Sequence, residues 1–215
     1  MKRSFAILVV AFIVSLSCFA QMEQSKVKSF NDPWKFGVNV SATYDYINPS
    51  ANNSAKVGMK AGIQGEKHLV YMIYFRPSMD LYKRGYTANY PGTVKADVDG
   101  YFLEFDATIE LKFGDERLGR GWFLSLTPFF TYGLFGNTDQ TSLNPDEESY
   151  NKPITYKTFD DRSLTREDIG YKLGLGYDFN HNWEFNLEYL FGFVNVMNFS
   201  NYRWRGVSAG LSYFF

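Results

Sequence analysis

The chain has 215 residues, 22 Lys and Arg against 23 Asp and Glu, and a formal charge of −1. That balance excludes a basic nucleic-acid-binding surface, and the length suits one domain. Aromatic residues are abundant, with 16 Tyr and 21 Phe, while the one cysteine, Cys18, falls in the N-terminal segment, so no disulfide is expected.

Met1–Ala20 reads as a secretory signal peptide. Lys2 and Arg3 form a basic start, Phe5–Leu16 is an apolar run, and Cys18-Phe19-Ala20 places small residues where cleavage before Gln21 needs them. The run is too short to span a bilayer. Ser15 stands where a lipoprotein signal usually has Leu, so Cys18 is expected to leave with the peptide. Without Lys2 and Arg3, 20 basic residues face 23 acidic ones, a charge of −3. Gln21–Pro33 is polar and aperiodic, a periplasmic lead-in. Residues 34–215 then form the main domain.

Strict two-residue alternation begins at Trp34–Tyr46, with Trp34, Phe36, Val38, Val40, Ala42, Tyr44 and Tyr46 on one face. That is longer than the about 9–11 residues a tilted strand needs to cross a bilayer. Ile47–Ser54 reads as a loop, Ala55–Gly65 as a second strand, and Gly65–His68 as a tight connection. Leu69–Tyr82 is the third strand, where Pro77 removes a ladder donor and predicts a bulge. Lys83–Gly100 reads as a long loop.

Tyr101–Phe113 is the fourth strand, apolar on one face and bearing Glu104, Asp106, Glu110 and Lys112 on the other. Such charges need water or partners. Gly114–Gly121 is a turn, and Trp122–Leu134 a fifth strand in which Pro128 predicts a local irregularity. Phe135–Arg166 reads as the longest loop, with Tyr150, Tyr156 and Phe159 as contact area for a partner. Asp168–Phe179, Trp183–Val194 and Arg203–Phe215 complete eight strands.

Short connections follow strands two, four and six, and longer ones follow the odd strands. With Trp and Tyr recurring near the strand ends, this is the pattern of an all-β, eight-stranded antiparallel up-and-down barrel in a Gram-negative outer membrane, both termini periplasmic. An eight-stranded lumen is just wide enough for side chains to fill it. Lys60, Arg76, Glu104, Asp106, Glu110, Lys112, Lys172, Glu184 and Glu188 form the expected lumen charge cluster. Asp45, Asp80, Asp178, Lys35 and Lys56 share those inward faces. The near balance of sign predicts ion pairs that plug the barrel; a narrow cation path along the excess of carboxylates, or a small-ligand carrier, is the alternative. His68 and His181 fall in predicted turns, away from any outer-leaflet site, so a lipid-modifying enzyme is not expected. No motif calls for a cofactor or metal. Val207, Ala209, Leu211, Tyr213 and Phe215 line one face of the last strand. They read as a C-terminal signal for the barrel assembly machinery, with outer-membrane lipid as the other partner.

Tyr101-Phe102-Leu103-Glu104-Phe105, Leu126-Thr127-Pro128-Phe129-Phe130, Gly174-Leu175-Gly176-Tyr177 and Gly206–Phe215 resemble the PorT-type outer-membrane β-barrel family of Bacteroidota. The resemblance covers most of the chain after the signal peptide. It implies an eight-stranded outer-membrane barrel, in a family where some members are linked to protein secretion. It implies no catalytic residue.

Overall fold

The computed structural model describes residues 33–48, 53–90, 94–115, 119–144, 150–159, 164–197 and 201–215. The expected signal peptide and nearly all of the lead-in lie outside them. Nine strands form among the described residues: β1 (Lys35–Asn48), β2 (Asn53–Val70), β3 (Ile73–Tyr90), β4 (Val94–Asp115), β5 (Arg120–Ser142), β6 (Pro153–Lys157), β7 (Glu167–Asp178), β8 (Trp183–Asn195) and β9 (Arg203–Phe214). Eight of them close into an antiparallel ring in the order β1-β2-β3-β4-β5-β7-β8-β9. The seam joins the two ends of the chain, from Gly37 opposite Phe214 to Asn48 opposite Arg203. The Phe215 amide also donates to the Phe36 carbonyl at 2.9 Å. Short β6 lies outside the ring and pairs with the far end of β5.

The alternation read from the sequence sets which face of each strand is buried. Val38, Val40, Met59, Ile63, Leu81, Phe105, Leu124, Leu126, Leu173, Leu175, Leu187, Val207 and Leu211 all point outward and are exposed. A surface this apolar matches a lipid-facing belt. Aromatic groups edge it. At the turn end Trp122 meets Tyr177 at 5.1 Å, and Trp183 meets Tyr213 at 4.9 Å. At the other end Tyr101 stacks on Phe135 at 4.8 Å, and Tyr171 on Phe191 at 4.8 Å. Inside, large residues sit against glycines. Phe123 is fully buried because its ring takes the space a side chain at Gly176 would need.

Three strands run further than their alternation suggests. β3 and β4 continue to Tyr90 and from Val94, so most of the expected loop Lys83–Gly100 is strand. β5 continues to Ser142, inside the stretch expected as loop Phe135–Arg166. The cause is a bulge at Leu134. Tyr101 pairs with Phe135, but Phe102 pairs with Gly133, so β5 carries one extra residue. Below the bulge the odd positions Phe123 to Gly133 face inward; above it Gly136, Thr138 and Ser142 do. The phase change hides the strand from a simple period-two reading.

The first tight turn also moves. β2 runs through the expected Gly65–His68 connection, and the chain turns at Tyr71-Met72, with Tyr71 at a φ of 51°. Pro77 makes no bulge, because it pairs with Ala107 and the flanking pairs keep one register. At Pro128 the pairing with β4 is interrupted between Asp106–Phe129 and Ile109–Leu126, again with no slip. Each proline removes a donor without inserting a residue.

Candidate functional site

The inward face of the ring is a stack of charge capped by aromatics. Nearest the turns, Arg76 bridges Glu110 at 2.7 Å and Glu184, and all three are buried. Lys112 lies beside them, 2.6 Å from Glu66, 3.2 Å from Asp178, 3.6 Å from Glu110 and 3.7 Å from Glu184. Its ammonium thus occupies the centre of four carboxylates. A cavity of about 250 Å³ opens onto this layer from the turn end and is lined by Glu66, Lys112, Asp178, Glu184, His68 and His181.

The middle layer is buried. Lys172 donates to Glu104 at 2.7 Å and to Asp106 at 2.6 Å. Lys60 lies 3.3 Å from Glu104, 3.6 Å from Asp106 and 3.7 Å from Glu188. Glu188 also accepts from Ser208 at 3.3 Å. Asp80 accepts from Ser78 at 2.7 Å. On the far side, Arg84 pairs with Asp168 at 2.9 Å, and Asp45 accepts from Tyr82 and Thr43. The Arg84 guanidinium packs over the rings of Trp204 at 4.1 Å and Phe102 at 4.9 Å. Tyr86, Phe159, Leu164, Leu190, Val196 and Ile47 pack around these rings and close that end of the lumen.

All nine residues of the expected lumen cluster therefore face inward, and the ion pairs connect them within two layers. Three further members were not singled out from the sequence. Glu66 falls in the stretch read as a turn and Arg84 in the stretch read as a loop. Asp168 opens β7 at the edge of its alternation. Including them, and leaving out Lys35 and Lys56, changes the charge balance. Asp45, Glu66, Asp80, Glu104, Asp106, Glu110, Asp168, Asp178, Glu184 and Glu188 line the lumen against five buried bases, Lys60, Arg76, Arg84, Lys112 and Lys172. The near balance expected from the sequence becomes two acids per base. Lys35 is half exposed at the rim, and Lys56 pairs with Asp97 and Asp99, both at 2.8 Å.

The five residues expected as an assembly signal lie on the outward face of the closing strand or just past its end. Val207, Ala209, Leu211 and Phe215 are exposed, and Tyr213 is partly covered between Trp183 and Phe215. Of the aromatics expected as partner contacts, Tyr150 and Tyr156 are exposed. Phe159 is not: it packs edge-on to Phe102 at 5.5 Å in the cap.

Fold and lumen together define an integral membrane barrel whose interior is filled by its own side chains. Residues 19–198 match the model of the outer membrane protein beta-barrel domain family, and the chain belongs to that family. It is an outer-membrane protein. No curated protein matches the chain. Among solved structures it is similar to Neisserial surface protein A (16% identity, 86% of this chain and 100% of that one, TM-score 0.44). It is also similar to Ail, the attachment invasion locus protein of Yersinia pestis (9% identity, 86% and 100%, TM-score 0.47). A third is the N-terminal β-barrel domain of Pseudomonas aeruginosa OprF (15% identity, 83% and 97%, TM-score 0.35).

Proposed function

We propose that this protein is a closed, non-enzymatic barrel of the outer membrane, structural or accessory to a membrane complex such as a secretion apparatus. The observation that carries the reading is the double obstruction of the lumen: buried ion pairs fill the middle, and the Phe102–Trp204–Phe159 group caps one end. Both termini lie on the periplasmic side, with the short turns Tyr71-Met72 and Asn180–Asn182, and the long ends of β3, β4 and β5 reach outward. The even strand number and the unequal strand ends support this orientation. The apolar belt takes lipid, and the outward series ending at Phe215 is read by the barrel assembly machinery. Within the family, the likeness of the runs quoted from β4, β5, β7 and β9 to PorT-type barrels of Bacteroidota supports assigning the chain to that group. Both histidines line the turn-end cavity, and His68 is engaged with Tyr71 at 2.6 Å and stacked on Tyr74, which favours a non-catalytic role.

A second reading is a narrow cation pore, favoured by the excess of lumen carboxylates and the cavity entering from the turns. Conductance of the purified protein in planar bilayers separates the two. The closed barrel gives no stepwise currents. Unitary cation currents altered by Glu104→Gln would establish the pore instead. Co-purification from native membranes after crosslinking tests the accessory role, and a barrel recovered alone would leave it purely structural.

A further inference from the structure

The middle layer of the lumen contains more negative charge than its bases neutralise. Within ion-pair distance, Asp80, Glu104, Asp106 and Glu188 meet only Lys60 and Lys172 among the described residues, leaving two charges over. Their burial is nearly complete: Asp80 is 1% exposed, Glu104 0% and Asp106 8%. Both lysines bind the same oxygen of each carboxylate, Oε1 of Glu104 and Oδ2 of Asp106. The opposite oxygens, Glu104 Oε2 and Asp106 Oδ1, have no hydrogen-bond partner, and neither has Asp80 Oδ1. Asp80 also has no basic group within ion-pair distance among the described residues. Buried carboxylate oxygens in this state are costly, so something must compensate them. The strands make room for this group. Gly62 stands opposite Asp80 on β2, and a side chain there would strike the Asp80 carboxylate.

We propose that Asp80, Glu104 and Asp106 bind one divalent cation of the calcium class. One oxygen from each of the three lies within 4.8 Å of the others. Oxygens sharing a Ca²⁺ at about 2.3–2.6 Å can be up to about 5 Å apart, so the spacing is compatible with it, and an all-carboxylate set without fixed octahedral geometry suits calcium better than Mg²⁺. A doubly charged ion also matches the two uncompensated charges. The layer nearer the turns, with Glu66, Glu110 and Glu184 similarly close, differs in one respect. There the Lys112 ammonium already sits among the acids, within 3.7 Å of each. No lysine approaches Asp80 in this way.

The test uses the full barrel folded into detergent micelles, in EDTA or with CaCl₂ as the probe. Equilibrium dialysis with radioactive calcium is expected to find about one ion per folded chain. Asp80→Asn and Glu104→Gln should each abolish uptake, while Glu184→Gln, in the other layer, should retain it. Stability provides a second readout. In EDTA, Asp80→Asn should resist urea better than the native chain, because an uncompensated charge is gone; added calcium should reverse that order. Absence of uptake by the folded native chain would overturn the proposal. So would uptake that survives both middle-layer substitutions. If the variants fail to fold, the native chain still decides: its urea midpoint must rise with calcium, and a midpoint set by pH alone would assign the compensation to protons.

Discussion

Arg76 shows how much one lumen side chain holds together. It is 4% exposed and is the direct partner of both Glu110 and Glu184. Its guanidinium also lies over the Phe123 ring, 5.7 Å from the centroid. Replacing it by Met keeps most of the volume but leaves two buried carboxylates facing one lysine. Removing one partner of a buried pair typically costs about 3–5 kcal/mol. We expect Arg76→Met to lose stability on that scale, measured from urea unfolding midpoints in micelles. Adding Glu110→Gln and Glu184→Gln should recover a substantial part, since the cost lies in the stranded charges and not in the lost bond. A triple variant no better than the single one would show that Arg76 acts mainly through packing.

At the scale of strands, β9 has two tasks on its two faces. Gly206, Gly210 and Ser212 keep the inner side small against Asp45, Ser41 and Asn186. The outer side carries Val207, Ala209, Leu211, Tyr213 and Phe215. Phe215 is 76% exposed, so Phe215→Gln removes little packing within the barrel. It should nevertheless lower the amount of protein assembled in the outer membrane, measured by heat-shifted band intensity in membrane fractions. Unchanged assembly would make Phe215 an ordinary lipid-facing residue. The eight ring strands were legible in the sequence because lipid outside and charge inside enforce a strict period of two. Their far ends were not. The extra residue at Leu134 reverses the phase of β5. Past Leu81, β3 leaves the apolar belt, so Lys83–Tyr90 alternates without a greasy outer face. The same limit hid Arg84: a basic residue among Tyr86, Gly85 and Thr87 reads as loop until Trp204 and Phe102, from distant strands, are seen around it. Glu66 lies where Gly65–His68 reads as a turn, although β2 continues through it. The nine charges stand out because each sits between two apolar, outward-facing neighbours on its strand.

For the molecule as a whole, a closed ring with a cross-linked interior predicts resistance to detergent until heat breaks the ladder. The folded protein should migrate differently on gels before and after boiling, and a band that does not move would contradict the closed ring. The seam between β1 and β9 has a further consequence. It joins the most distant parts of the main domain in sequence, so its loop-closure entropy is the largest in the fold. No edge pair can be completed until the final residues have arrived, and a chain stalled short of Gly206 would hold two open strand edges at once. Such edges template aggregation. Maturation of this protein is therefore all-or-nothing along its length: truncation from the C-terminal side removes the closure itself and leaves a sticky sheet, not a smaller barrel.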